Sequence, residues 1–146
     1  MDVKGTVHKL INAYKTNNPF QLAELKNIEI SYEPLGNIMG YYNSYKRIKF
    51  IHINCDLDDR IQRFVCAHEL GHAVLHPKAN TPFLQKNTFY STEKIEKEAN
   101  TFAVELLMTD EELYEHQDTS MTIYEAAEMY GVPKELAHLK GVRRGH

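Results

Sequence analysis

His68, Glu69 and His72 stand in the order His-Glu-x-x-His inside the run Arg63-Phe64-Val65-Cys66-Ala67-His68-Glu69-Leu70-Gly71-His72-Ala73-Val74-Leu75-His76-Pro77. Residues four apart share one face of a helix, with Cβ atoms about 6 Å apart. Two imidazoles so spaced can converge on one zinc ion, each nitrogen about 2.0–2.1 Å from it. Glu69 follows the first histidine by one residue and therefore points to the side of the metal. There it can reach a water without taking a ligand position, which is where a general base of peptide hydrolysis belongs.

The helix that must carry these residues is legible. Asp58 or Asp59 can serve as its N-cap, and Ile61, Phe64, Val65, His68, His72 and Leu75 recur at helical spacing, which turns both histidines toward the core. Buried imidazoles need polar partners, and a metal supplies one. Gly71 costs about 1 kcal/mol relative to alanine inside a helix, so its presence implies a close neighbour on that side. Pro77 ends the helix.

A catalytic zinc takes three protein ligands and keeps one position open. The third is expected from the helical stretch Ser91 to Met108, capped by Ser91 or Thr92, whose inward stripe is Ala99, Phe102, Ala103, Leu106 and Leu107. Glu96 lies seven residues before Ala103, two turns away, and so on the inward face. Glu98 is rotated by about 140° from Ala103 and faces outward, and Glu93 is about 80° off at the helix end. Glu96 is thus the expected ligand. Asn100, one turn on, can hold the outer nitrogen of a zinc histidine. His76 competes as a ligand, but three histidines along one straight helix face cannot surround one ion, so it is assigned a supporting or capping place.

The two motifs together, His68-Glu69-Leu70-Gly71-His72-Ala73-Val74-Leu75-His76-Pro77 and Glu96-x-x-Ala99-Asn100-x-Phe102-Ala103-x-Glu105-Leu106-Leu107-Met108, resemble the ImmA/IrrE family of zinc metallopeptidases. The resemblance covers roughly residues 40–110. It implies a zincin-like fold, His68, His72 and Glu96 as zinc ligands and Glu69 as catalytic base. Members of that family occur in bacteria, phages and integrative elements, and several cleave helix-turn-helix repressors. A protein substrate of that kind, cut at one site in an anti-repressor role, is the implied partner. Thr109 stands where a proline commonly follows the methionine in the family, and it can cap the next helix.

At 146 residues, 42% hydrophobic and 25% charged, the chain fits one soluble domain. Its expected division is a catalytic core over 40–110 and a helical part over 111–146. The net charge of −3 argues against nucleic-acid binding. The basic stretch from Lys140 to His146 reads as a frayed terminus, and a weak helix-turn-helix likeness around Gly131 carries too many glutamates to face phosphate. Cys55 and Cys66 form no C-x-x-C pair and read as free thiols of a reducing compartment. No apolar signal region and no spanning run of about 18 apolar residues is present, so a cytoplasmic location away from membranes is expected.

The remaining elements point to an α+β fold. Helices are expected over 3–16 and 20–25, then strands at Ile28–Tyr32, Ile38–Tyr42 and Lys46–Asn54, with Asn43-Ser44 as the hairpin turn. They form a small antiparallel sheet packed on the zinc helix. His52 sits oddly on a strand face. Residues 78–92 lack periodicity and are expected to wall the substrate cleft, anchored by Phe83, Phe89 and Tyr90. Two other functions fit the same residues: a repressor-binding protein with a purely structural zinc, and a stress-response or toxin protease of broader reach.

Overall fold

A computed structural model describes residues 1–117 and 119–141. The chain runs α1 (Val3–Tyr14), α2 (Pro19–Leu25), β1 (Ile28–Glu33), β2 (Gly40–Tyr45), β3 (Ile48–Asn54), α3 (Asp59–Leu75), α4 (Lys94–Leu107), α5 (Asp110–Tyr114) and α6 (Ile123–Met129). Two short 3-10 helices cover Lys86–Tyr90 and Lys134–Leu139. The fold is α+β, as expected, and no described helix is long and apolar enough to cross a membrane.

The sheet corrects one expectation. Its order is β1-β3-β2, and it is mixed: β2 pairs antiparallel with β3, but β1 pairs parallel with β3. Period-two patterning reports which face a residue takes, not which strand lies beside it. Here the 34–39 loop crosses over the end of β3, held by Asn54 Nδ2, which donates to the carbonyls of Gly36 (3.1 Å) and Ile38 (3.0 Å). The hairpin turn falls at Lys46-Arg47, not Asn43-Ser44; both residues have positive φ, 50° and 69°. That is the left-handed pair required by a two-residue turn whose twist suits the flanking strands.

Ile51 and Ile53 of β3 face α3 and are fully buried, with Tyr42 of β2 and Ile28 of β1 beside them. Gly40 is needed where β2 meets α3: a Cβ there would lie 2.4 Å from Val65 Cγ1 and 2.6 Å from the His52 carbonyl oxygen. Asp58 caps α3, its Oδ1 accepting from the Ile61 amide at 2.9 Å. At the other end Lys49 Nζ donates to the Ala73 carbonyl at 3.2 Å, a cation at a helix C-terminus.

Helix α4 lies along α3. Its stripe of Ala99, Phe102, Ala103, Leu106 and Leu107 is buried to 1% exposure or less. Gly71 explains the close approach, because an added Cβ would sit 3.1 Å from both Cβ and Cδ1 of Phe102. Ser91 and Thr92 do not cap α4; Glu93 is the N-cap residue and makes no side-chain cap bond, while Ser91 Oγ accepts from the Glu93 amide.

The basic stretch at the end of the chain is a second correction. Lys140 is buried, its Nζ 2.7 Å from Glu105 Oε1 and 2.9 Å from Asp110 Oδ1. The Gly141 amide donates to Glu105 Oε2 at 2.8 Å. The rest of the expected frayed terminus, 142–146, lies outside the described residues.

Candidate metal centre

His68, Glu69 and His72 are fully buried on α3, and Glu96 of α4 is 1% exposed. One ligand atom from each of His68, Glu69 and His72 lies within 4.8 Å of the others. Across the helix pair, His68 Nε2 lies 3.2 Å from Glu96 Oε1, and His72 Nε2 lies 3.1 Å from Glu96 Oε2. The two imidazole planes stand at 81° with centroids 4.9 Å apart, so both Nε2 atoms turn toward one point at the α3–α4 seam.

The outer nitrogens are held by neighbours. Asn100 Oδ1 is 2.9 Å from His68 Nδ1, and Asn100 Nδ2 donates to the Thr88 carbonyl at 3.4 Å. His72 Nδ1 is 3.1 Å from His76 Nδ1, and His76 Nε2 is 2.9 Å from Glu98 Oε1. His76 sits at the C-cap of α3, its amide donating to the His72 carbonyl at 2.7 Å. The sequence reading that turned Glu98 outward is corrected here. Glu98 is half-buried and engages His76, because α3 ends beside the flank of α4 that a wheel centred on Ala103 assigns to solvent.

Four buried atoms of this cluster have no hydrogen-bond partner among the described residues: both oxygens of Glu69, His72 Nε2 and Glu96 Oε2. The last two are close but not aligned for a bond. Leaving buried polar atoms unpartnered is costly, and three carboxylate oxygens and an imidazole nitrogen so placed in one cluster mark a place for a cation. Two imidazole nitrogens with a carboxylate are a donor set suited to a divalent transition metal. The residues therefore fit a metal ion.

Burial, then the nearby Glu96 carboxylate, push the Glu69 carboxyl well above its ordinary range. Burial holds the His72 imidazole below its usual value, which keeps its nitrogen available as a ligand. For Glu96, burial acts upward, but the contact with His68 Nε2 and the closeness of both imidazoles outweigh it and hold the carboxyl well below the usual range.

Residues 78–92 do border the cleft, and of the three expected anchors only Phe89 packs inward. Leu84 and Thr88 are buried, and Leu84 forms an antiparallel bridge with Gly40. Phe89 packs edge-on against Phe64, whereas Phe83 and Tyr90 are 50% and 71% exposed. A cleft of ≈ 440 Å³ opens here, lined by Phe83, Gln85, Thr88, Ser91, Glu93 and Glu96. Tyr42 Oη donates to the Pro77 carbonyl at 2.8 Å, tying the start of this segment to β2. No pattern in the sequence signals that link.

The sequence profile of the peptidase M78 family, described as an IrrE N-terminal-like domain, matches residues 23–140. The chain is 50% identical over 139 residues to "Uncharacterized immunity region protein 2" of Bacillus phage phi105, an alignment covering 94% of this chain and 88% of the relative. It is 36% identical over 115 residues to "Metallopeptidase ImmA" of Bacillus subtilis (strain 168), covering 77% of this chain and 67% of the relative.

Proposed function

As the chain belongs to the peptidase M78 family of metallopeptidases, we propose that it is a zinc-dependent endopeptidase that cuts a protein substrate at a defined bond. The observation that carries this reading is the buried quartet His68, Glu69, His72 and Glu96, with four of its polar atoms unpartnered among the described residues. His68, His72 and Glu96 would hold the ion. Glu96 is preferred over Glu69 because its two oxygens reach both Nε2 atoms at 3.2 and 3.1 Å.

When bound, zinc supplies a Lewis acid that polarises the peptide carbonyl and acidifies water. Glu69 takes the proton from the attacking water and delivers it to the departing amide nitrogen as the C–N bond breaks. Burial raises its carboxyl above the ordinary range, which favours holding the accepted proton until it passes to the leaving group. Asn100 and His76 orient the two imidazoles through their outer nitrogens. A single peptidase domain is supported by α1, α2 and the 134–139 helix, which among the described residues add side chains to the same buried cluster as 40–110.

The family resemblance carries the choice of substrate, a helix-turn-helix repressor cut in an anti-repressor role inside the cytoplasm, and an immunity-region relative and a metallopeptidase relative fit that setting. The test is co-expression with the repressor encoded beside the gene, reading fragment masses for the wild type and Glu69→Gln. Defined fragments from the wild type alone establish the peptidase. A repressor that stays intact yet loses DNA binding with both proteins would replace it with a binding protein, and fragments from many cellular proteins would point to a broader protease.

A further inference from the structure

His52, the odd residue of β3, lies on the face of the sheet that no described helix covers. Its ring nitrogens are 2.5 Å from Glu33 Oε2 and 2.7 Å from Asn43 Oδ1. With both sides held, the ring cannot turn. It stacks on Tyr41 with centroids 4.1 Å apart and planes 9° from parallel. Tyr41 in turn meets Phe83 edge-on, at 5.0 Å and 60°. Phe83 is still 50% exposed, and it lines the cleft that contains Glu96.

A half-exposed phenylalanine on a connecting segment costs solvation and packs little. Holding it in one place through a stacked tyrosine and a histidine pinned by two strands is an arrangement that simple packing does not require. Aromatic rings fixed before binding give large contact area at low entropic cost. The backbone supports the same placement: residue 84 is bridged to Gly40, and Thr81 Oγ1 donates to the Tyr42 carbonyl at 3.4 Å.

We propose that Phe83 is a specificity wall of the cleft, taking a large apolar or aromatic side chain of the peptide substrate close to the cleaved bond, and that Tyr41 and His52 are positioning residues that hold it there. The inference rests on the peptidase reading, because continuity with Glu96 is what makes the cleft a substrate path. Phe83 and its neighbour Pro82 offer apolar contact, while Glu93 also lines the cleft. A cationic side chain is therefore the competing occupant.

Titration of the full chain with acetyl-Gly-Phe-Gly-amide, followed by aromatic NMR resonances, separates these. The phenylalanine peptide should shift the Phe83 and Tyr41 rings and bind at least fivefold more tightly than its alanine and arginine counterparts. Phe83→Ala should erase that preference and Phe83→Tyr retain it. His52→Ala and Tyr41→Ser should reduce it threefold or more, with Tyr41→Phe restoring it. In cleavage the same losses should appear in KM with kcat unchanged.

Equal response to all three peptides overturns the wall, and preference for arginine overturns it in favour of cation recognition. An unchanged preference in His52→Ala and Tyr41→Ser removes the positioning role. The titration needs no hydrolysis. A selective wall in a protein that cleaves no peptide would retire the peptidase reading and leave Phe83 as the wall of a peptide-binding cleft.

Discussion

Asn100 Oδ1 stands 2.9 Å from His68 Nδ1, while its amide nitrogen reaches the Thr88 carbonyl across the cleft rim. One side chain thus sets the tautomer of an expected ligand and fastens the segment that walls the cleft. Groups in this position typically change metal affinity by about 10–100-fold when removed. Asn100→Ala should weaken zinc binding within that range, read by chelator competition, and should also raise protease sensitivity between residues 85 and 91. Asn100→Asp should restore the first effect more than the second.

Gly71→Ala removes a helix-interior glycine, which by propensity alone would stabilise by about 1 kcal/mol. Three atoms of Phe102 lie within 3.2 Å of where the new Cβ would be. Overpacking of a rigid interior costs about 1–3 kcal/mol, and Phe102 is fully buried with nowhere to yield. The substitution should therefore lower stability, by about 1 kcal/mol net of these two effects. Urea unfolding checks the sign; a stabilised variant would show that α4 moves away freely.

Lys140 and Glu105 form an ion pair with side chains 4% and 2% exposed. Removing one member of such a pair strands the other charge, at a cost of about 3–5 kcal/mol. Lys140→Met should approach that loss, partly offset by Lys4, which lies 3.8 Å from Glu105. Replacing Glu105 and Lys140 together by leucine should recover most of the stability. The unfolding midpoints of the single and double variants form the measurement.

Asp110 gives the pH dependence of the same cluster. Burial acts to raise its carboxyl, but hydrogen bonds from Lys140 and Lys4 and their charges prevail and lower it below 3.8. A carboxyl depressed on folding contributes stability that is complete above its unfolded value and is lost as pH falls through its folded value. The destabilisation caused by Asp110→Asn should be full at pH 6 and shrink only below about pH 4. Thermal unfolding of both proteins across pH 2.5–7 would show it; a difference that persists unchanged at pH 2.5 would contradict the assignment.

Much of the centre was legible because its parts obey local periodicities. His68, Glu69 and His72 are within one helical turn, and Glu96 and Asn100 follow from the stripe of Ala99, Phe102 and Ala103. What escaped depends on chain paths that no period encodes. The parallel pairing of β1 with β3 is set by a loop crossing the end of β3. The Glu98–His76 contact needs the point at which α3 ends beside α4. The Glu105–Lys140 pair joins residues 35 apart, where composition shows only one acid and one base. Of the expected anchors Phe83, Phe89 and Tyr90, only Phe89 packs inward, because aromatic character alone does not distinguish a buried ring from a presented one.

His68 and Glu96 are 28 residues apart in the chain, yet their side chains meet at 3.2 Å. An ion gripped by both is, topologically, a reversible cross-link that closes the intervening loop, including the whole cleft rim. Closing such a loop restricts the unfolded chain far more than the folded one. Zinc supply would thereby govern how long the polypeptide survives in a cell rich in proteases, and metal starvation would clear the protein as well as silence it.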